Sequence, residues 1–275
     1  MASANPSWSE ENFSCPICLD VFSSPVSTPC GHNFCGTCIN KFWDEQVQCK
    51  CPICNQIFDT RPDPQVNIFV SEMADLFRTT LRVKEQRVQQ YEVDVTLDPD
   101  TAAPQLILSE DGKQVHDGAV VRKLPHNPKR FNFLSTYVVL TRQSFSSGRF
   151  YFEVQVKDKT AWGFGVARES IDRKGWTELT PETGYWTLDY YKEVLVFSDD
   201  PSVRLPLRAE LQKVGVFVDY DEGLVSFYDV EARVHIYSAT GCAFTEPLYP
   251  IFRPGSRQEG TNSAPLIISP VNQTD

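Results

Sequence analysis

The amino-terminal fold of this chain is decided by residues 15–54, CPICLDVFSSPVSTPCGHNFCGTCINKFWDEQVQCKCPIC. This stretch contains the spacing C-x2-C-x11-C-x-H-x2-C-x2-C-x12-C-x2-C. The two sulfurs of a C-x2-C pair can reach one metal ion from a single tight turn, and a structural zinc ion takes four Cys or His ligands. The spacing therefore predicts two closed zinc sites with no position left for a catalytic water. The predicted ligands are Cys15, Cys18, Cys30, His32, Cys35, Cys38, Cys51 and Cys54.

The distribution of cysteine along the chain also favours metal binding. Eight of the nine cysteines lie in residues 15–54 and only Cys242 lies elsewhere, so the cysteines do not form a disulfide framework over the whole chain. In a reducing compartment a dense cysteine cluster is more often a metal site than a set of disulfides. Cys49 falls outside the ligand spacing. We interpret it as a loop cysteine, and an alternative metal ligand is the other interpretation.

The charge balance of the chain limits the classes of partner that it is expected to bind. There are 36 acidic and 26 basic residues, which give a net charge of −10. This balance disfavours nucleic acid as a partner, because such binding needs Lys and Arg to replace the counterions of phosphates. The amino terminus lacks the basic and apolar regions of a signal peptide, and no stretch approaches about 18 apolar residues. We therefore expect a cytosolic or nuclear protein, predict a cytoplasmic location, and expect no membrane association.

Residues 67–92 have the periodicity of a helix. Apolar side chains recur at steps of three and four residues and form one stripe, which Lys84 interrupts. One interpretation is a linker helix that packs on a neighbouring domain, and the other is a self-association helix that forms a weak homodimer. The stripe consists of Val70, Met73, Phe77, Leu81, Val88 and Tyr91.

Residues 93–275 have the pattern of many short strands. Phe152, Val154 and Val156 alternate with polar or aromatic neighbours, which predicts a half-buried strand. The apolar runs 214–218 and 224–228 flank an Asp- and Gly-containing turn, which predicts a hairpin. An all-β sandwich is therefore predicted for this region. Further short runs lie at 105–108, 135–140, 161–166, 185–188 and 248–252.

The ligand spacing resembles that of the RING zinc finger, a small α+β domain in which two zinc ions are held in an interleaved cross-brace. The resemblance places this domain at residues 10–60. It implies that Cys15, Cys18, Cys35 and Cys38 hold one ion. It likewise implies that Cys30, His32, Cys51 and Cys54 hold the other.

RING domains act in ubiquitin ligases, where they bind a ubiquitin-charged conjugating enzyme and form no covalent intermediate. The resemblance implies that Ile17, Trp43 and Pro52 contact this enzyme. Packing around the zinc sites is the alternative role for each of the three. Active RING ligases often carry Arg or Lys directly after the last ligand, whereas this chain has Asn55. This departure implies a ligase that is weaker or selective for its conjugating enzyme.

The strand-rich region resembles the PRY/SPRY domain of tripartite-motif (TRIM) ubiquitin ligases. Residues 97–99, Leu-Asp-Pro, match the opening motif of the family, and residues 152–154 and 218–221 match two later motifs conservatively. Residues 66–73 resemble the segment after the RING of fish-type TRIM ligases. The resemblance implies the order RING, helical linker at 67–92 and PRY/SPRY sandwich at 93–275, without a B-box or a long coiled coil. Kinship also implies a role in innate immunity.

PRY/SPRY domains bind protein targets through loops at one end of their sheets. The resemblance places Asp189, Tyr191, Ser256, Arg257 and Gln258 at this ligand surface. A solvated loop is the alternative for Arg257, and a place in the core is the alternative for Tyr191. We assign Trp162, Trp176 and Trp186 to the core.

Three function classes remain in competition. The leading hypothesis is a zinc-dependent RING-type ubiquitin ligase that selects protein substrates through its PRY/SPRY domain. The alternative is a non-catalytic binding or regulatory protein that engages TRIM targets without ubiquitin transfer, a reading that Asn55 and the missing coiled coil favour. A DNA-binding zinc protein is disfavoured by the acidic charge and by the lack of a basic recognition helix.

Overall fold

The computed structural model of the chain describes residues 13–18, 21–132, 137–175, 177–207, 210–257 and 261–269. The chain divides into two compact units, Met1–Val83 and Lys84–Asp275. The first unit is small and carries eight of the nine cysteines, and the second contains most of the strands. This architecture confirms the predicted combination of a small zinc-binding unit with few helices and an all-β sandwich.

The first unit contains a three-stranded antiparallel sheet in the order β2-β1-β3 and the helix α1. Its core is formed by Phe22, Val26, Phe34, Ile39 and Trp43 together with buried ligand cysteines. Such a small apolar core needs the metal sites as a further source of stability. The elements are β1 (Pro25–Ser27), β2 (Asn33–Cys35), α1 (Gly36–Asp44) and β3 (Gln65–Val66).

The predicted helix of residues 67–92 forms α2 (Ile68–Gln89). Asn67 caps its amino terminus, because the Asn67 Oδ1 accepts a hydrogen bond of 3.0 Å from the backbone N–H of Val70. The first turns pack on the core of the first unit, where Ala74 is fully buried and Phe77 stacks on Phe13 with ring centroids 5.1 Å apart. Within the described ranges, no helix carries an apolar stretch long enough to cross a membrane.

The second unit is a sandwich of two antiparallel sheets, with thirteen strands among its described residues. One sheet has the order β11-β10-β9-β8-β15-β6 and the other the order β14-β13-β12-β7-β16-β5-β4. The core lies between them, as in the contact of Phe152 from one sheet with Phe252 from the other. The strands are β4 (Leu106–Leu108), β5 (Gln114–Asp117), β6 (Val139–Leu140), β7 (Arg149–Gln155), β8 (Ala161–Arg168), β9 (Tyr185–Tyr191), β10 (Val194–Phe197), β11 (Val203–Leu205), β12 (Lys213–Asp219), β13 (Leu224–Asp229), β14 (Val234–Ala239), β15 (Leu248–Arg253) and β16 (Leu266–Ser269).

The predicted hairpin is confirmed. Strands β12 and β13 pair antiparallel with Val218 opposite Val225, and Gly223 takes a positive φ of 60° in the turn. The predicted runs 161–166, 185–188 and 248–252 lie within β8, β9 and β15. Of the run 135–140, Val139–Leu140 form β6, and residues 135 and 136 lie outside the described residues.

The prediction of a half-buried strand at residues 151–156 is wrong, because β7 is buried on both faces. Tyr151 is 0% exposed and packs with Val88 and Phe217. Residues at the end of α2 therefore cover the outer face of the sheet at this point. On that face the Glu153 carboxylate lies 3.3 Å from the Lys213 amine and accepts a hydrogen bond of 3.1 Å from the Tyr151 hydroxyl.

Candidate zinc centre and recognition surface

The first group of predicted zinc ligands comes together from two separate parts of the finger. Cys15 and Cys18 lie in the turn before β1, Cys35 ends β2, and Cys38 lies in the first turn of α1. Their four sulfur atoms all lie within 4.8 Å of one another, and the Sγ atoms of Cys18 and Cys35 are 3.9 Å apart. The Cys15–Cys18 pair is therefore formed locally in the sequence. The position of Cys35 and Cys38 beside it depends on the pairing of β1 with β2.

The second group joins the β1–β2 turn to a later turn of the chain. Cys30 and His32 lie in the first turn, and Cys51 and Cys54 lie in the second. The Nδ1 of His32 is 3.4 Å from the Cys30 Sγ and 3.6 Å from the Cys51 Sγ. Gly31 separates the first two ligands with a φ of +85°, a conformation that favours glycine.

The two groups fit zinc in donor type, number and spacing. With Zn–S bonds of about 2.3 Å and Zn–N bonds of about 2.0 Å, a tetrahedral ion separates its ligand atoms by about 3.5–3.8 Å. The separations of 3.4, 3.6 and 3.9 Å lie within or very near this range. Backbone N–H groups support the sulfurs, since Ser23 donates to Cys35 and Cys35 donates to Cys15 at 3.2 and 3.3 Å. Two zinc ions are thus the cofactors of this unit, in sites that leave no open coordination position.

The electrostatics of the ligand thiols make binding sensitive to pH. Burial raises the pKa of the Cys35 thiol to about 11, although a hydrogen bond from the Ser23 N–H acts to lower it. Burial also opposes ionisation of Cys30, but hydrogen bonds with Thr28 and His32 outweigh it and lower the pKa of that thiol to about 6. Each thiol must lose its proton to bind zinc, so zinc affinity falls as the pH falls.

Cys49 belongs to neither ligand group among the described residues. Its carbonyl accepts a hydrogen bond of 3.0 Å from the backbone N–H of Phe58, and its side chain packs against the core of the finger. This placement favours the loop interpretation of Cys49 over the alternative ligand.

The residues expected to contact a conjugating enzyme are placed in different environments. Ile17 and Pro52 lie in the two metal-binding turns and are half-buried. Asn55 is exposed, and its φ of 58° places it in the left-handed region. Ile53 and Ile57, which are not among the predicted contact residues, are 45% and 54% exposed in the same part of the chain. The signal for Ile53 was present, because it stands between the last two ligands.

Trp43 does not lie at the surface as expected, because its side chain is only 2% exposed. Its Nε1–H donates a hydrogen bond of 2.9 Å to the carbonyl of Lys50, and its ring packs edge-on against Phe58. The indole therefore fills the core of the finger and holds the segment before the last ligand pair. This is the packing role that was the alternative for Trp43.

In the sandwich, Asp189 and Tyr191 line one cavity of about 410 Å³, the first cavity. The Asp189 carboxylate accepts hydrogen bonds from Thr187 at 3.0 Å and Ser198 at 2.6 Å, and it forms an ion pair with Arg253. Burial lowers the pKa of the Arg253 guanidinium to about 10, which leaves it charged at neutral pH. Tyr191 is 50% exposed at the rim.

The other predicted contact residues are less closely associated with this cavity. Ser256 follows Gly255, which lines it. The backbone N–H of Arg257 donates a hydrogen bond of 2.8 Å to Asp117 Oδ2 on β5, which anchors this loop to the other sheet. Gln258 lies outside the described residues, as does Trp176.

Sequence reasoning missed the residues that complete the first cavity. Arg253 lies 64 positions after its partner Asp189, so no local pattern could pair them. Trp162 is 4% exposed, as a core residue should be, yet it lines the cavity. A side chain at Gly163 would collide with the Asp189 and Arg253 side chains, so a glycine in β8 makes room for the pair.

The sequence matches three family profiles. Residues 15–54 match the zinc finger of C3HC4-type, RING. Residues 95–145 match the SPRY-associated domain, PRY, and residues 149–267 match the SPRY domain. Together these profiles cover the finger and the sandwich.

Several human proteins are similar to this chain over most of its length. Pyrin is 44% identical over 216 residues, which are 75% of this chain and 27% of pyrin. Zinc finger protein RFP is 40% identical over 216 residues, 76% of this chain and 41% of that protein. Butyrophilin subfamily 2 member A2 is 44% identical over 177 residues, 64% of this chain and 32% of that protein. The chain thus spans less than half the length of each of these relatives.

The fold is also similar to solved structures. The crystal structure of the TRIM65 PSpry domain matches with a TM-score of 0.57 and 23% identity, covering 67% of this chain and 95% of that one. The Stonustoxin structure matches with a TM-score of 0.52 and 28% identity, covering 61% and 26%. Fold, ligand groups and profiles together define a protein with a RING-type zinc finger and a PRY/SPRY domain. The chain is a TRIM-like PRY/SPRY protein.

Proposed function

We propose that this chain is a RING-type ubiquitin–protein ligase that selects protein substrates through its PRY/SPRY domain. The observation that carries the proposal is the pair of closed Cys/His groups, whose turns hold Ile17 and Pro52 at the surface of the finger. Apolar residues fixed in this way suit a shallow docking site for a ubiquitin-charged conjugating enzyme. The neighbouring Ile53, at 45% exposure, enlarges this apolar surface.

The mechanism that we infer is positioning. The carbonyl carbon of the ubiquitin terminus passes from the thiol of the conjugating enzyme to a substrate lysine, so a C–S bond breaks, a C–N bond forms and the thiol leaves as thiolate. The lysine loses a proton to solvent or to the conjugating enzyme. No side chain of this chain forms a bond to ubiquitin. Holding the reactants together lowers the entropic part of the barrier. The zinc ions, when bound, supply the rigidity of the docking turns.

Substrate selection belongs to the sandwich in this proposal. The first cavity, with Asp189 and Tyr191, is the surface that we assign to the target, and Ser256 and Arg257 extend it. Gln258, which lies outside the described residues, belongs to this assignment by resemblance alone. The exposed apolar side chains of Ile68 and Phe69 at the start of α2 support a weak homodimer through the helix beside the finger. A cytoplasmic location and a role in innate immunity are parts of the proposal that rest on kinship alone.

Ubiquitin chain formation in vitro tests the proposal. The zinc-loaded chain is combined with activating enzyme, ubiquitin and a broad panel of conjugating enzymes, and chains are read by immunoblot. We expect chains with at least one enzyme and their loss in Cys15→Ala and Ile17→Ala. Val47→Ala serves as the control, because Val47 is a fully exposed apolar residue of the finger. The absence of chains across the panel would retire the ligase proposal.

A second candidate function is a non-catalytic regulator that binds targets without ubiquitin transfer. It is favoured by Asn55, which has neither the charge nor the reach of Arg at the position after the last ligand. The same assay on Asn55→Arg separates the two. Activity that appears only in Asn55→Arg supports the regulator, whereas activity in the unmodified chain supports the ligase.

A further inference from the structure

Two cavities of the sandwich share one aromatic pair in their walls. Trp162 and Tyr190 stack with ring centroids 5.6 Å apart, and both residues line the first cavity and a second one of about 500 Å³. The second cavity is also lined by Lys159, Glu193 and Glu210. Together the two cavities are larger than a single side chain requires, so they can hold one residue of a ligand and its neighbours.

The charged groups of the two cavities leave an excess of carboxylates. The two basic side chains in their walls are already engaged, since Arg253 is paired with Asp189 and the Lys159 amine donates a hydrogen bond of 2.7 Å to the carbonyl of Ala264. By contrast, neither Glu178 in the first cavity nor Glu193 in the second forms an ion pair among the described residues. The field in the cavities therefore favours a cation.

Glu193 and Glu210 line the same cavity as the aromatic pair. Burial raises the pKa of the Tyr190 phenol, and the nearby carboxylates of Glu193 and Glu210 raise it further. Glu193 lies in the two-residue β9–β10 turn, where Lys192 and Glu193 have φ values of 50° and 62°. Positive φ is unfavourable for both residue types, yet this turn places Glu193 in the wall of the second cavity. Lys192 lies outside, with its amine 5.1 Å from the centroid of the Tyr191 ring.

We propose that the two cavities bind an extended segment of a target protein through one Lys or Arg side chain, whose cationic group lies against the Trp162–Tyr190 pair between Glu193 and Glu210. A cation is attracted to the face of an aromatic ring, and a guanidinium or ammonium forms strong hydrogen bonds with carboxylates. The residues on either side of the basic side chain occupy the first cavity, next to the exposed Tyr191. The inference rests on the proposed role of the PRY/SPRY domain in target selection and names the chemistry of the target.

Binding of defined peptide pools to the zinc-loaded full chain tests the proposal. Four fluorescein-labelled pentapeptide pools carry Arg, Lys, Gln or Glu at the central position, with uncharged residues elsewhere, and binding is measured by fluorescence anisotropy. We expect the Arg and Lys pools to bind about ten-fold more tightly than the Gln pool, because charge-assisted hydrogen bonds are the stronger ones. The Glu pool should bind most weakly, and high salt should weaken the Arg pool.

Two matched variants test whether the preference for the Arg pool arises at Glu193. Glu193→Gln should reduce the affinity for the Arg pool to that for the Gln pool. Glu222→Gln should leave it unchanged, because Glu222 is an exposed residue that lines neither cavity.

Equal binding of the Arg and Gln pools, a preference for Glu, or no binding of any pool would overturn the proposal. So would binding of free spermidine as tight as that of the Arg pool, which would make a small polyamine the ligand. Chain formation by the same preparation is measured in parallel, so a failed peptide preference is distinguished from a failed ligase.

Discussion

At the scale of single residues, the backbone explains Asn55 better than its side chain does. Its N–H donates a hydrogen bond of 2.9 Å to the carbonyl of Cys51, and its φ of 58° is a conformation that Asn tolerates and Arg resists. We predict that Asn55→Arg lowers the stability of the finger by about 1 kcal/mol and that Asn55→Gly is nearly neutral. The measurement is urea-induced zinc release from the full chain, followed with a colorimetric chelator. Equal losses in both variants would show that the Asn side chain itself stabilises the turn.

Lys159 is a buried amine whose charge opposes folding. It is 6% exposed, and burial lowers its pKa from 10.5 to about 8. Below about pH 8 the amine is protonated in the folded and unfolded chain alike, so the full free-energy cost of burying its charge is present. Between about pH 8 and 10.5 the unfolded chain binds more protons, and stability rises with pH.

This sign gives a prediction for Lys159→Met. From pH 8 to pH 10, the free energy of unfolding of the unmodified chain should rise relative to that of the variant, by at most about 3 kcal/mol. Urea unfolding at a series of pH values measures the difference. Lys157→Met is the matched control, because Lys157 is exposed only two residues away. A difference that does not change with pH would mean that the amine stays protonated in the folded chain.

At the scale of structural elements, the zinc finger is held together by its ligand turns. We predict that Cys51→Ser lowers the zinc content of the purified chain by at least one ion, because the second site loses a ligand from its later turn. Cys49→Ser should retain both ions, since Cys49 belongs to neither ligand group. Elemental analysis of the two proteins measures the difference. Loss of zinc from Cys49→Ser would restore the interpretation of Cys49 as a ligand.

The last turn of α2 contributes to the sandwich as a cover for β7. Val88 is 8% exposed and packs with Tyr151 and Phe217 on the outer face of the sheet. We predict that Val88→Ala lowers the free energy of unfolding of this unit by about 2 kcal/mol, through lost burial and the cavity left behind. Urea unfolding measures the loss, and Arg87→Ala is the exposed neighbour that should change little. If Val88→Ala is also neutral, the outer face of β7 does not depend on this cover.

The strands show which features of the fold could be predicted from the sequence and which could not. The β12–β13 hairpin and the runs within β8, β9 and β15 were predicted, because alternation and turn residues are local signals. The burial of both faces of β7 was not predicted, since the cover over Tyr151 comes from Val88, which is 63 positions earlier in the sequence. Local alternation reports one buried face and carries no information on what covers the other.

The same distinction applies to the candidate sites. The zinc ligands follow a regular spacing, so all eight could be predicted from the sequence, and the resemblance to the RING finger implied their division into the two groups that the structure brings together. The cavities of the sandwich depend on contacts between distant strands, such as Arg253 with Asp189. Tyr191 could be placed by resemblance, but the Trp162–Tyr190 pair and Glu193 required the fold.

At the scale of the whole molecule, the chain joins two units with separate cores, one formed around the ligand turns and one between the two sheets. Ile17 packs against the first core, and Tyr191 lies at the rim of a cavity in the second unit. A substitution at either position should leave the fold of the other unit intact. The two steps of the proposed activity, enzyme recruitment and target recognition, should therefore be separable by mutation.

This separation yields the last prediction. Ile17→Ala should abolish ubiquitin chain formation and leave binding of the Arg peptide pool within about two-fold of the unmodified chain. Tyr191→Ala should have the reverse effect. It should weaken peptide binding about ten-fold, because an aromatic contact is lost, and it should retain self-ubiquitylation. Both readouts are made on the same zinc-loaded preparations, by immunoblot and by fluorescence anisotropy. Loss of both activities in either single variant would contradict the assignment of one function to each unit.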